Sequence, residues 1–179
     1  MFVILFLYFL RMIVHYMMQY FVLRMMTVPV TRFRPMWHRI DLVYAPWYLY
    51  QDVVVVFIGI MANTILFGIL DRSTYVAKKY CKCMPKQWYK AIAYYGVYAV
   101  MDPFIVLFLD IVSGNTENGD CFKFYTYFEK RSNNGPVGAY FTFFMVFMLS
   151  VVTGYVFYRY MVFRFMDGRI LDLYRRLSG

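Results

Sequence analysis

Residues 53–70 read VVVVFIGIMANTILFGIL, an uncharged run that lies between Asp52 and Asp71. An α-helix rises about 1.5 Å per residue and the hydrocarbon core of a bilayer is about 30 Å thick. The run therefore has the length and the polarity of a helix that crosses a membrane. We predict a transmembrane helix here.

The composition of the whole chain agrees with a membrane protein. Of its 179 residues, 62% are hydrophobic, 23% are aromatic and only 16% are charged. Ordinary soluble domains are about 45–50% apolar and about 25% charged. The balance excludes a disordered or ordinary soluble protein, and the length allows a handful of spans within a single membrane domain over residues 1–179.

Three further segments are long and apolar enough to cross a bilayer. Residues 136–158 contain no charge, whereas residues 91–112 carry Asp102, Asp110 and a proline, which predicts a kinked span with two costly carboxyl groups. Residues 2–28 form the remaining segment. The expected fold is an all-α integral membrane protein with a bundle of four transmembrane helices.

The first segment has a polar stripe that leaves an alternative open. Arg11, His15 and Gln19 follow each other at a spacing of four residues, which places them on one face of a helix. A polar face is costly against lipid, so it should meet protein, water or the interface. The alternative to a span is an amphipathic helix that lies in the interface, with its apolar face in the membrane.

Charge distribution predicts the orientation, because Lys and Arg of short loops stay on the cytoplasmic side. The loop 71–90 has six Lys or Arg residues against one Asp, so it should be the inner basic loop, and 113–135 should be the outer loop. With four spans both termini are then cytoplasmic. Most of the net charge of +9 lies in residues 71–90 and 164–176, and we expect both segments to face anionic lipids of the inner leaflet. We expect no nucleic-acid partner.

The connections are unusually rich in aromatic residues. Residues 35–50 mix Trp and Tyr with prolines, which is typical of a segment at the headgroup level, with docking of another subunit as the alternative. The outer loop is too apolar for free solvation and should pack on the membrane surface or on a partner. Residues 167–177 predict a short amphipathic C-terminal helix.

Ionisable residues inside the spans are the candidates for function. Asp102 lies near the middle of its span, and Asp110 follows about 12 Å further along the helix axis, at the outer interface. Asp102 could belong to a proton or cation pathway, or to a buried ion pair with Arg11 or His15. We favour the ion pair, since one central acid is little for a conduction path. Asn63 predicts a hydrogen bond between helices.

Small residues spaced by four indicate where helices pack closely. Thr64 with Gly68, and Ser150 with Gly154, form such pairs, which let two backbones approach each other. The pattern supports packing within this chain or between subunits without choosing between them.

The three cysteines indicate no metal site. Cys81 and Cys83 are separated by one residue and have no His nearby, so they cannot complete a tetrahedral zinc site. Their juxtamembrane, lysine-rich surroundings make both candidates for S-palmitoylation, with plain reduced thiols as the alternative. Cys121 is expected to be free or paired with another subunit.

No catalytic motif is present in the sequence. His38 and Asp41 are one residue short of the spacing of an acyltransferase pair, and no zinc-protease, nucleophile-elbow or phosphate-loop pattern occurs. We therefore expect that the protein is not an enzyme and that it binds no cofactor. The expected function is that of a non-catalytic, multi-pass membrane subunit that packs within and stabilises a larger membrane protein complex. The alternative is a channel or transporter subunit that conducts ions or protons through Asp102.

Overall fold

A computed structural model of the chain describes residues 2–36, 40–81, 86–114 and 119–165. The structure is mostly helical, as predicted, and four of its helices are long and apolar enough to cross a membrane. The elements in chain order are α1 (Phe2–Met25), β1 (Val30–Pro35), β2 (Ile40–Tyr44), α2 (Leu49–Cys81), α3 (Lys86–Val112), α4 (Lys123–Ser132) and α5 (Gly135–Tyr160), followed by a π-helical turn at Met161–Phe165. The C-terminal helix predicted for 167–177 lies outside the described residues.

The long helices alternate in direction and pack side by side. The first helix, α1, lies against α2 and α3, and α5 lies against α3 and α2. Val3 of α1 lines a groove together with Trp88 of α3, while Nε of Arg164 lies 3.6 Å from Oδ1 of Asp71 in the last third of α2. The first turns of α1 and the turn after α5 therefore share one end of the bundle. We call it the basic end, and the opposite end, which carries the two strands and α4, the hairpin end.

Residues 71–90 were predicted to form a loop, but the structure shows that most of them are helical. The second helix continues to Cys81 and the third begins at Lys86. The hydroxyl of Ser73 donates to the carbonyl of Leu70 at 2.7 Å, and that of Thr74 donates to the carbonyl of Asp71 at 2.6 Å. Lys, Arg and Ala are good helix formers. Charge ends the apolar part of a span but does not end the helix.

A two-stranded antiparallel hairpin departs from the predicted all-α fold. Val30 pairs with Tyr44 and Pro35 with Ile40. Ile40 and Leu42 alternate with less buried residues along β2, as expected of a strand with one covered face. Ile40 packs against residues of α1, so the interfacial segment predicted over 35–50 is in part a strand of the protein core.

The predicted outer loop 113–135 also contains a helix of its own, α4, which folds back on α5. Asn133 adopts a left-handed conformation (φ 53°) that ends α4. A Cβ atom at Gly138 would lie 2.3 Å from the carbonyl oxygen of Phe124, so only glycine permits this approach. The Phe124 ring is buried and meets the edge of Phe141 at a centroid distance of 5.1 Å. The apolar residues of this loop thus pack in part on the chain itself.

Candidate functional site

The polar stripe of α1 faces the inside of the bundle. Arg11, His15 and Gln19 are each at most 1% exposed, although α1 carries large exposed apolar side chains such as Phe6 and Phe21 on its other faces. An interfacial helix would direct its polar face to water, and this face is instead covered by α2 and α3. The stripe forms one side of a buried polar network.

Asp102 of α3 is the centre of this network and is fully buried. Nε of Arg11 donates a hydrogen bond to Oδ1 of Asp102, and Nη2 of Arg11 donates to its carbonyl oxygen at 2.9 Å. Nδ1 of His15 lies 2.8 Å from Oδ2, and Nδ2 of Asn63 donates to Oδ1 at 3.1 Å. Both carboxylate oxygens therefore have partners. The ion pair ties α1 to α3, and Asn63 joins α2 to α3.

Asn63 extends the network towards the basic end. The hydroxyl of Tyr95 donates to Oδ1 of Asn63 at 2.8 Å, so the amide of Asn63 uses both its donor and its acceptor side. Tyr95 is itself fully buried in the main apolar core, where Phe67 and Tyr160 also lie. The hydrogen bond that the sequence predicted for Asn63 thus joins α2 to α3.

His15 links the centre of the network to its outer part. Its Nδ1 atom faces Asp102, and its Nε2 atom lies 3.3 Å from Oδ2 of Asp120. Gln19 donates to the same oxygen of Asp120 at 2.7 Å. An imidazole that faces a carboxylate with each nitrogen is best satisfied when both nitrogens carry a proton. The imidazole ring thus bridges two buried carboxylates.

Asp120 and Lys123 close the network at the hairpin end. The ammonium group of Lys123 donates to Oδ1 of Asp120 and lies over the Tyr44 ring, 4.6 Å from its centroid. Burial alone would raise the pKa of Asp120, but the Lys123 charge and the hydrogen bond from His15 outweigh it and hold the pKa below its usual range. Burial alone would lower the pKa of Lys123, and Asp120 reverses this shift. Both groups therefore stay charged.

A cavity of about 220 Å³ opens beside this closing pair. Asp52 and Lys123 line it, together with Tyr44, whose hydroxyl donates to Oδ1 of Asp52 at 2.8 Å. The network thus runs from Tyr95, inside the bundle, to a cavity at the hairpin end. Gln19 Oε1 is buried and has no hydrogen-bond partner within the described residues.

Asp110 lies near the C-terminal end of α3 and is covered by the connection that follows it. It is 4% exposed, and the backbone N–H of Cys121 donates to its Oδ2 atom at 3.4 Å. Residues 119–121 fold over the end of α3 and cover this carboxyl group. Burial, together with the neighbouring charge of Asp110, raises the pKa of the Cys121 thiol, so the thiol stays protonated and is a weak nucleophile.

The small residues predicted to pack helices have different surroundings. The Thr64 hydroxyl lies 2.7 Å from that of Thr153, which joins α2 to α5. No other part of the described chain comes within 4 Å of a Cβ atom built at Gly68 or Gly154. The hydroxyl of Ser150 is buried without a hydrogen-bond partner in that same part. Close packing at Gly68 and Gly154 within this chain is therefore not seen.

The cysteine predictions fall largely outside what the structure describes. Cys81 ends α2 without a described side chain, and Cys83 lies outside the described residues, as does His38. Cys121 is buried and not in a disulfide. Among the residues with described positions, no three His, Cys, Asp or Glu side chains are grouped so that they could hold a metal ion.

Several members of the network were not singled out from the sequence. Asp120 and Lys123 lie in a connection, and only folding of α4 onto α5 brings them to the spans. Gly59 was also missed, although a Cβ atom there would lie 2.6 Å from Nε2 of Gln19 and 2.7 Å from Nε2 of His15. A glycine within an apolar run, opposite a helix with a polar stripe, was the available signal for this contact.

Comparisons of this chain with protein-family models, with curated proteins and with solved structures find no match.

Proposed function

We propose that this protein is a non-catalytic, multi-pass membrane subunit that packs within a larger membrane protein complex. The observation that carries the proposal is the outer face of α5. Phe147, Val151 and Tyr158 are exposed on it, and Gly154 lies on the same helical stripe with open space in front of it. Large side chains beside a glycine form the knobs and the hole that a partner helix would fill.

The interior of the bundle supports a structural role. The charged groups of Asp102 and Arg11 are used to hold α1 and α3 together. A buried ion pair whose members satisfy each other is costly to break, by about 3–5 kcal/mol when one partner is removed. The network thus stabilises the bundle, and the described parts outside the long helices are short. Contact with other proteins would then be made through helix faces and through the hairpin end.

The proposal is tested by the size of the assembly in native membranes. We expect the chain, extracted in mild detergent, to migrate on native gels well above its own 21.6 kDa plus the micelle, with other subunits in fixed ratio. Gly154→Leu should reduce this size, because it fills the hole at a position where a Cβ atom has no other part of the described chain within 4 Å. Val152→Leu, at an exposed position on another face of α5, is the matched control. A lone, stable monomer for the native chain would refute the proposal.

A second candidate function is proton transfer along the network, which the position of His15 favours. Its ring contacts Asp102 with one nitrogen and Asp120 with the other, which is the geometry of a relay. The hydrogen bonds from Arg11 and Asn63 oppose this candidate, because both occupy Oδ1 of Asp102 and hold the carboxylate in a structural contact.

Proton flux into liposomes distinguishes the two functions. The native chain and Asp102→Asn are reconstituted as monodisperse protein, and acidification inside the vesicles is followed under a pH gradient. Asp71→Asn, at the basic end, is the control. Flux that is lost in Asp102→Asn and kept in Asp71→Asn would establish transport through the network. Background flux in all three would support the subunit role.

A further inference from the structure

A groove of about 430 Å³ lies between α1 and α3 at the basic end. Phe6 and Leu10 of α1 form one wall, Trp88 and Ala91 of α3 form the other, and Leu70 of α2 contributes to the lining. Its volume is in the range of small-molecule sites, which is about 300–1,000 Å³. The groove meets the polar network at Tyr95, which lines it, and it is separate from the outer face of α5.

The groove exists because a small residue lies between large ones on α3. Trp88, Ala91 and Tyr95 follow one another on the same helical face, and Ala91 leaves the space that a larger side chain would fill. Beside the groove, Tyr8 of α1 and Tyr98 of α3 touch, with ring centroids 6.2 Å apart. The two helices are thus in contact beside the groove, which lies along their first turns.

We propose that this groove holds one acyl chain of an anionic phospholipid. The lining is almost entirely apolar, and it belongs to the helices that are long enough to cross a membrane. In a bilayer the surrounding solvent is hydrocarbon, and an apolar cavity left empty loses its dispersion contacts. A flexible acyl chain can fill such a groove along its length.

The charge at the basic end selects the headgroup. Arg72, Lys79, Lys90 and Arg159 are exposed there, whereas the acidic Asp71 faces Arg164. Trp88, which is 58% exposed at the rim of the groove, is a residue type that prefers the headgroup level. A lipid whose chain lies in the groove would place its phosphate within this field of positive charge, which favours an anionic headgroup over a zwitterionic one.

Retention of lipid by the purified chain tests the proposal. The full chain is delipidated in detergent and titrated with phosphatidylglycerol or with phosphatidylcholine of the same acyl chains, and bound lipid is counted by native mass spectrometry. We expect one phosphatidylglycerol to be retained. Ala91→Phe should weaken its binding about tenfold, the effect of displacing two methylene groups from an apolar site. Val97→Phe, at an exposed position of the same helix, should leave binding unchanged.

A fluorescence measurement keeps the test independent of the folding of Ala91→Phe. With Trp37 and Trp47 replaced by Phe, Trp88 is the sole tryptophan at the rim. Brominated phosphatidylglycerol should quench it more strongly than brominated phosphatidylcholine at the same mole fraction. Equal quenching by both lipids would mean that Trp88 contacts bulk lipid only, and this result would overturn the proposal. It would also be overturned if the native chain retained no lipid and Ala91→Phe converted a dimer to a monomer, since a second copy would then fill the groove.

Discussion

The contact between the polar stripe of α1 and the second helix depends on the missing side chain of Gly59. A Cβ atom there would lie 2.6 Å from Nε2 of Gln19 and 2.7 Å from Nε2 of His15. Gly59→Ala must therefore displace both side chains or separate α1 from α2. Gly68, on the same helix, is the matched control, because no atom of the described chain lies within 4 Å of a Cβ built there.

The magnitude follows from two opposing effects. In a helix interior, Gly→Ala alone stabilises by about 0.5–1 kcal/mol. At Gly59 this gain is opposed by the loss of the hydrogen bonds from Gln19 and His15 to Asp120, and a hydrogen bond to a charged group is worth about 1.5–3 kcal/mol. We expect Gly68→Ala to raise the free energy of unfolding by about 0.5–1 kcal/mol. Gly59→Ala should lower it by about 2–5 kcal/mol, since two such hydrogen bonds are lost.

Equilibrium unfolding in mixed micelles measures this difference. Native chain and variants are titrated with sodium dodecyl sulfate, and loss of tertiary structure is followed by near-ultraviolet circular dichroism. The double variant Gly59→Ala/Gln19→Ala should be less destabilised than the sum of the single variants, since removal of the amide gives the new methyl group room. The reasoning is refuted if Gly59→Ala is as stable as Gly68→Ala, or if the double variant is additive.

Three further predictions concern the same bundle. Asp102→Asn leaves a buried guanidinium without its counter-charge and should lower the free energy of unfolding by about 3–5 kcal/mol in the same titration. A double-mutant cycle of Thr64→Ala and Thr153→Ala should give a coupling of about 0.6 kcal/mol, the average for hydrogen bonds between membrane helices, and a value of zero would contradict the contact. The lowered pKa of Asp120 means that its stabilisation is complete above 3.8, its ordinary value, and is lost as the pH falls further. The raised pKa of Lys123 means that its contribution to stability is complete below pH 10.5 and is lost at higher pH. Thermal unfolding measured as a function of pH should therefore show both losses in the native chain. Neither loss should appear in the variant that carries Asp120→Asn and Lys123→Met.

Local sequence predicted the long helices but not where they end. The apolar run 53–70 belongs to α2, which extends from Leu49 to Cys81. Hydropathy marks the part of a helix that lipid can surround, whereas its ends depend on backbone hydrogen bonds and on capping. The same limit applies to β2, whose buried Ile40 and Leu42 become part of the core only because α1 provides the surface they cover.

The sequence also predicted the ion pair of the network but not its extent. The spacing of Arg11 and His15 indicates one helix face, and a central Asp102 needs a partner, so the pairing follows from the cost of burying charge. Nothing in the sequence requires that Asp120 and Lys123 are buried or that they pair. They could be solvated in a connection, and they are buried because α4 folds back over the bundle.

By itself, then, the amino-acid sequence determined that this chain forms long helices that are apolar enough to cross a membrane, because hydropathy is a local property that accumulates residue by residue. Only the tertiary structure decided which polar groups meet. The distance from His15 to Asp120, the room at Gly59 and the groove beside Ala91 depend on how separate helices are placed against one another. Such placement is set by close packing over the whole bundle and not by any single segment.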